Sequence, residues 1–121
     1  MAIFDTTSFR ITSQGLDILW KKQEVISQNI ANKDTPDYKA KYVDFYSVLK
    51  EKVLENGSTK DELNLDYKIL EDSSTADQAD GNNVDSDMQQ IELARAQFQY
   101  SALINQMNGD FDLMRSALKS T

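Results

Sequence analysis

Residues 8–31 read SFRITSQGLDILWKKQEVISQNIA, and the spacing of Phe9, Thr12, Leu16, Leu19, Gln23, Ile26 and Ile30 within them decides the fold. The steps alternate between three and four, the heptad spacing that keeps one face of an α-helix turned toward a neighbour. Trp20 and Val25 widen this stripe, whereas Asp17, Lys21, Lys22, Glu24 and Gln28 mostly serve solvent or polar contacts. Thr12 and Gln23 weaken a simple two-stranded coil while helping to set its register. Gly15 costs about 1 kcal/mol against alanine in a helix interior, and it permits a close helix contact. The helix predicted from Ser8 to Ala31 must stop before Pro36. Proline turns Thr35 away from helical geometry, and Asn32, Asp34 and Thr35 carry turn-forming side chains.

A second helix is expected from near Ser86 to about Leu118. Ser86 and Gln89 have capping-box spacing, and Asp87 falls in the first turn, where negative charge is favoured. One apolar seam of this helix holds Val84, Met88, Ile91, Phe98 and Ala102, and another holds Leu93, Ala96, Tyr100, Leu103, Met107, Phe111, Met114 and Leu118. A closed hairpin satisfies one stripe per helix, so two seams imply contact with more than one neighbour. Gly109 is the expected weak point or bend.

Between the helices, Phe45 to Val53 can form a short amphipathic helix closed by Asn56-Gly57. Leu63, Leu65, Tyr67 and Ile69 alternate with polar residues and predict one extended segment, marginal alone for want of an evident partner strand. Residues 71–83, EDSSTADQADGNN, read as a polar, turn-rich loop. The expected fold is all-α. Two long terminal helices pack as a coiled-coil hairpin, and the irregular middle contains a short helix and an extended segment. The organisation is an N-terminal helix with its exit turn over 1–35, a middle segment over 36–85 and a C-terminal helix over 86–121, with the helices forming one helical domain.

Composition removes several functions. The formal charge of −7 comes with scattered Lys and Arg, which is unsuited to nucleic acid. No apolar run approaches the roughly 18 residues needed to span a bilayer, and MAIFDTTSFR lacks the basic and apolar regions of a cleavable leader. Direct membrane insertion is therefore not expected. Cysteine and histidine are absent, so thiolate nucleophiles, disulfides, imidazole bases and the commonest zinc ligands are too. Asp80, Asp85 and Asp87 lack the ligand alternation and terminal Glu of a calcium loop, and a turn leading into a helix is the expected reading. Asn56-Gly57-Ser58 matches a glycosylation sequon, for which a turn is again the default. No catalytic, metal or cofactor residues are assigned.

The first helix runs directly into Gln28-Asn29-Ile30-Ala31-Asn32-Lys33-Asp34-Thr35-Pro36-Asp37-Tyr38-Lys39, and Asp80-Gly81-Asn82-Asn83-Val84-Asp85 leads into the second. The first motif resembles the N-terminal signature of bacterial flagellar rod and hook proteins. The pair, with Val43-Asp44-Phe45, is similar to the proximal-rod B subunit family more than to its C, F and G relatives. Together with the flanking helices the motifs cover about two thirds of the chain. Asp37 stands where those relatives often have glycine or asparagine. The resemblance implies a structural subunit that self-assembles through its terminal helices into a hollow axial drive shaft. It implies export, unfolded, through the flagellar type III apparatus, without a cleavable signal peptide, to a basal body beyond the cytoplasmic membrane. It implies partners among copies of the chain, neighbouring rod subunits and the rod-to-membrane-ring adaptor. The expected assembly seam is Leu16, Leu19, Ile26, Ile30, Ile91, Phe98, Tyr100, Leu103 and Met107. The family-motif turns are Asn29, Asn32, Asp34, Thr35, Pro36, Tyr38, Asp80, Gly81, Asn82, Val84 and Asp85. An acidic coiled-coil adaptor or secretion chaperone is the alternative reading, although nothing in such a protein requires both turn motifs. An enzyme ranks third.

Overall fold

In the computed structural model, which describes residues 7–56, 64–74 and 79–119, the element order is α1 (Thr7–Ala31), β1 (Lys41–Asp44), α2 (Tyr46–Asn56), β2 (Lys68–Glu71) and α3 (Ser86–Lys119). Both long helices match their expected bounds to within a residue. They pack antiparallel, because partners on α3 fall in number as those on α1 rise. Phe9 meets Phe111 with ring centroids 5.7 Å apart, Trp20 meets Tyr100 at 6.2 Å, and Lys22 pairs with Glu92 at 3.9 Å. A Cβ added to Gly15 would lie 3.4 Å from Leu103 Cδ1, so this glycine does sit at a close helix contact.

Gly109 does not interrupt α3. The helix continues through it to Lys119, and a Cβ there would meet nothing within 4 Å. A penalty of about 1 kcal/mol is small beside the packing that holds a long helix, here including Phe111 two residues on.

The start of α3 differs from the capping box expected of Ser86 and Gln89. Asp85 is the cap: its Oδ1 accepts from Met88 N at 3.2 Å, and its carbonyl accepts the first helical bond, from Gln89 N at 2.9 Å. Gln89 turns its side chain across to α1 instead. Asp44 caps α2 similarly, accepting from Ser47 N at 3.0 Å.

The extended segment does have a partner strand. β2 pairs antiparallel with β1, placing Lys41 opposite Glu71, Tyr42 opposite Leu70, Val43 opposite Ile69 and Asp44 opposite Lys68. Opposite charges face each other at both ends of the register, an arrangement that favours this pairing over its slips. The partner KYVD escapes a periodicity reading because four residues with one clear apolar position are too short a signal. Leu63 and the Gly57-Ser58 part of the sequon lie outside the described residues.

The middle also covers a second face of α1 that the heptad count omits. Ile18 and Val25 are buried, and helical geometry puts them with Gln14 and Asn29 on a face turned away from the centre of the α3 contact. Gln14 Oε1 accepts from Leu65 N at 2.9 Å, Asn64 Oδ1 accepts from Gln14 Nε2 at 3.3 Å, and Arg10 Nη1 donates to the same Asn64 oxygen at 2.5 Å. Asn29 holds the backbone of Lys41. Helix α1 thus lies between α3 and the middle segment. Burial of Ile18, Val25, Ile26, Ala40, Val48, Val84 and Ala96 marks the core, with each large aliphatic side chain worth about 1.5–3 kcal/mol.

Candidate functional site

The turn that ends α1 is built from its own side chains. Asn32 Nδ2 donates to Gln28 O at 2.8 Å, Thr35 Oγ1 donates to Asn32 Oδ1 at 3.1 Å, and Thr35 N donates to Asn32 O at 3.0 Å. Tyr38 N then returns to Thr35 O at 3.2 Å, closing a turn over Thr35-Pro36-Asp37-Tyr38. Pro36 supplies the fixed φ of the second position, and Asp37 takes the third with φ of 61°. This is the pattern of a type II turn, whose third position favours glycine or asparagine. The residue types common among the resembling proteins at Asp37 therefore follow from backbone geometry, and aspartate is among the side chains that tolerate it.

The second motif folds onto that turn. Asp37 N donates to Asp80 O at 2.9 Å, Asn83 N donates to Tyr38 O at 3.3 Å, and the Lys39 ammonium donates to Gly81 O. Gly81 has φ of 86°, and a Cβ there would stand 2.2 Å from Asp37 Oδ1. Two left-handed residues, one on each motif, thus meet face to face, and the φ at Gly81 favours glycine there.

Three buried asparagines join these pieces. Asn29 is fully buried: its Nδ2 donates to Lys41 O at 2.7 Å and Gln89 Oε1 at 2.9 Å, and its Oδ1 accepts from Lys41 N at 2.9 Å and Tyr38 Oη at 3.3 Å. Asn82, also fully buried, donates to Asn32 O and Thr35 O at 2.8 Å each and accepts from Val84 N at 2.8 Å. Asn83 accepts from Ala40 N at 2.7 Å and donates to Asp72 O at 3.0 Å. Among the described residues no buried side-chain polar atom lacks a partner. An amide suits such a place because it carries donors and an acceptor without charge, and a fully satisfied buried network fixes one geometry. The motif residues form the turn and also tie the end of α1, both strands and the start of α3 into one clasp. Tyr38 and Lys39 are spent inside it, while Asp34 and Pro36 are exposed at its surface. Asn83 and Gln89 are clasp residues that the motif reading did not single out; a second asparagine beside Asn82, just before a buried valine, was the available signal.

The seam residues separate into two groups. Ile26 is buried, and Leu16, Leu19, Ile30, Tyr100, Leu103 and Met107 are half-buried; the α3 members lie on the α1-facing side with Ala96 and Phe111. Ile91 and Phe98 face away, 56% and 77% exposed, and Met88, Ala102 and Leu113 are exposed with them. At 100° per residue these five fall on one side of α3, opposite the packed seam. The hairpin therefore consumes one seam of α3 and leaves the other uncovered.

A helical hairpin locked by a polar clasp, carrying an apolar stripe on its outer helix, defines a building block for protein assembly. Among the described residues no cluster of three or more acidic side chains is placed to hold a metal ion, and no helix is long and apolar enough to cross a membrane. No protein-family model matches the chain. It is 39% identical over 105 residues to the flagellar basal body rod protein FlgB of Bacillus subtilis, covering 80% of this chain and 81% of that protein. It is 30% identical over 134 residues to FlgB of Escherichia coli, with coverage of 93% and 94%, and 30% identical over 129 residues to FlgB of Aeromonas hydrophila, with coverage of 98% of each. The chain belongs to the FlgB family of flagellar basal body rod proteins. It is a structural subunit of the basal-body rod and not an enzyme.

Proposed function

We propose that the chain builds the proximal rod by docking its hairpin against copies of itself and neighbouring rod subunits, with the outward seam of α3 as the main contact. The observation that carries this reading is the exposure of Met88, Ile91 and Phe98 on a helix whose opposite face is already packed. An exposed apolar stripe of this kind, interrupted between Ile91 and Phe98 by Arg95, marks an interaction surface. The three parts of the chain then divide the work. In the parts over 1–35 and 86–121, α1 and α3 form the tube-building hairpin, and the middle over 36–85 braces α1. Within the seam, Leu16, Leu19, Ile26, Ile30, Tyr100, Leu103 and Met107 hold the subunit together, while Ile91 and Phe98 hold it to others. The clasp, through Asn29, Asn32, Thr35 and Asn82, fixes the angle at which the chain leaves α1, so that identical copies present identical surfaces.

The same reading takes the rod-to-membrane-ring adaptor as a further partner and the flagellar type III apparatus as the route of export. The absence of cysteine is compatible with passage as an unfolded chain, since no disulfide can form within it. The test is recovery of an epitope-tagged chain in purified basal bodies, with secretion measured separately. Phe98→Asp should be secreted and folded yet missing from the rod. Normal incorporation of that variant, or a wild-type tag outside the basal body, would overturn the proposal.

A further inference from the structure

The described surface carries a second apolar patch, on a different element from the α3 stripe. Tyr42 and Leu70 are direct cross-strand partners on one face of the β1–β2 ribbon, 49% and 37% exposed, and Tyr46 is exposed four residues beyond Tyr42. Trp20, though exposed, is already stacked on Tyr100.

Two distinct unpartnered patches on one chain have a consequence for symmetry. If the α3 stripe met the α3 stripe of a second copy, the contact would be self-complementary and would close as a dimer. A ring or a helical tube needs two different surfaces that meet head to tail. The dimensions agree: Ile91 to Phe98 spans about 10 Å at 1.5 Å per residue, and the four-residue ribbon spans about 13 Å. Charge also favours a second copy. Each chain carries −7, yet within the stripe Arg95 pairs with Glu92 at 3.0 Å, and α3 then has no charged residue from Ala96 to Gly109. Like-charged copies therefore approach there with little repulsion. The ribbon balances its own charges, with Lys41 opposite Glu71 and Asp44 opposite Lys68.

We infer that the Ile91–Phe98 stripe of one copy docks on the Tyr42–Leu70 face of the ribbon of the next, making a head-to-tail contact between identical chains. This inference rests on the assembly reading above and names its partner surface. It also assigns the middle segment a role in assembly beyond bracing α1.

The absence of native cysteine allows a direct test by disulfide crosslinking. A Phe98→Cys chain and a Tyr42→Cys chain, differently tagged, are co-produced and oxidised with copper phenanthroline, both in purified basal bodies and as concentrated purified protein. The expected result is a heterodimer at least tenfold more abundant than the homodimer of either variant alone or the product of a Phe98→Cys and Asp17→Cys control. Equal dimer from Phe98→Cys alone would overturn the inference in favour of a symmetric α3 contact. A heterodimer no stronger than the control would overturn it outright. Absence of the tags from basal bodies would count against the rod reading, while crosslinking of the purified chain would still decide the docking.

Discussion

The start and the outer face of α3 reverse the usual distribution of polar and apolar groups. At its start, amides are buried: Asn29, Asn82 and Asn83 lie in the interior with their hydrogen bonds made inside the chain. Along its outer face, large apolar side chains are exposed, with Phe98 the most exposed of those on the helix. A buried amide is tolerated only when each donor and acceptor is satisfied, so the clasp specifies one internal geometry and offers nothing outward. An exposed phenylalanine does little for the isolated subunit and gains only when another surface covers it. The first region fixes the subunit's internal geometry, and the second is the surface by which we propose it joins others.

The sharpest way to break this contrast is to place the same charge in both regions. Asn82→Asp sets a carboxylate against the carbonyls of Asn32 and Thr35 with both donors lost, and should cost about 3–5 kcal/mol in urea unfolding. Phe98→Asp should leave that midpoint within about 0.5 kcal/mol of wild type while removing the chain from the rod. Comparable destabilisation by both substitutions would erase the distinction. Next in size is a matched pair of isoleucines. Ile26→Ala should cost about 2–4 kcal/mol because it opens a cavity in the hairpin, whereas Ile91→Ala should stay within about 0.5 kcal/mol. Ile26→Asp is accordingly a folding mutation and a poor probe of assembly.

Gly81→Ala sharpens the account of the clasp itself. It meets both a left-handed φ and the Asp37 carboxylate, and should cost about 1–3 kcal/mol. Combining it with Asp37→Gly removes the clash but not the φ strain, so a double-mutant cycle should return part of the loss as coupling. Strict additivity would show that the two motifs do not press on each other. The smallest effect belongs to Pro36→Gly. Proline here is exposed and limits the unfolded chain, so glycine should cost about 0.4–1 kcal/mol. Thermal unfolding and rod incorporation measured on one preparation would reveal whether the turn matters more to assembly than to folding.

Several features were legible in the chain because they are local or periodic. Heptad steps from Phe9 to Ile30, the stop before Pro36 and the two seams of α3 specify helix bounds and a face of α3 that the hairpin leaves uncovered. The paired motifs specify the family. Contacts between segments distant in sequence were not legible. The capping-box spacing of Ser86 and Gln89 is genuine, yet Asp85 makes the cap because Gln89 has a stronger tertiary use on Asn29. KYVD is too short to announce a strand, and it becomes one only when Lys68–Glu71 arrives with complementary charges. The second packed face of α1, through Ile18 and Val25, is masked by a heptad stripe that accounts for most of the helix without it. Above all, sequence marks Asn29 and Asn82 as turn formers, since an asparagine's local bonding preferences are all that one segment can display. Only the tertiary structure, by bringing carbonyls and amides from four segments to one place, turns them into the buried clasp.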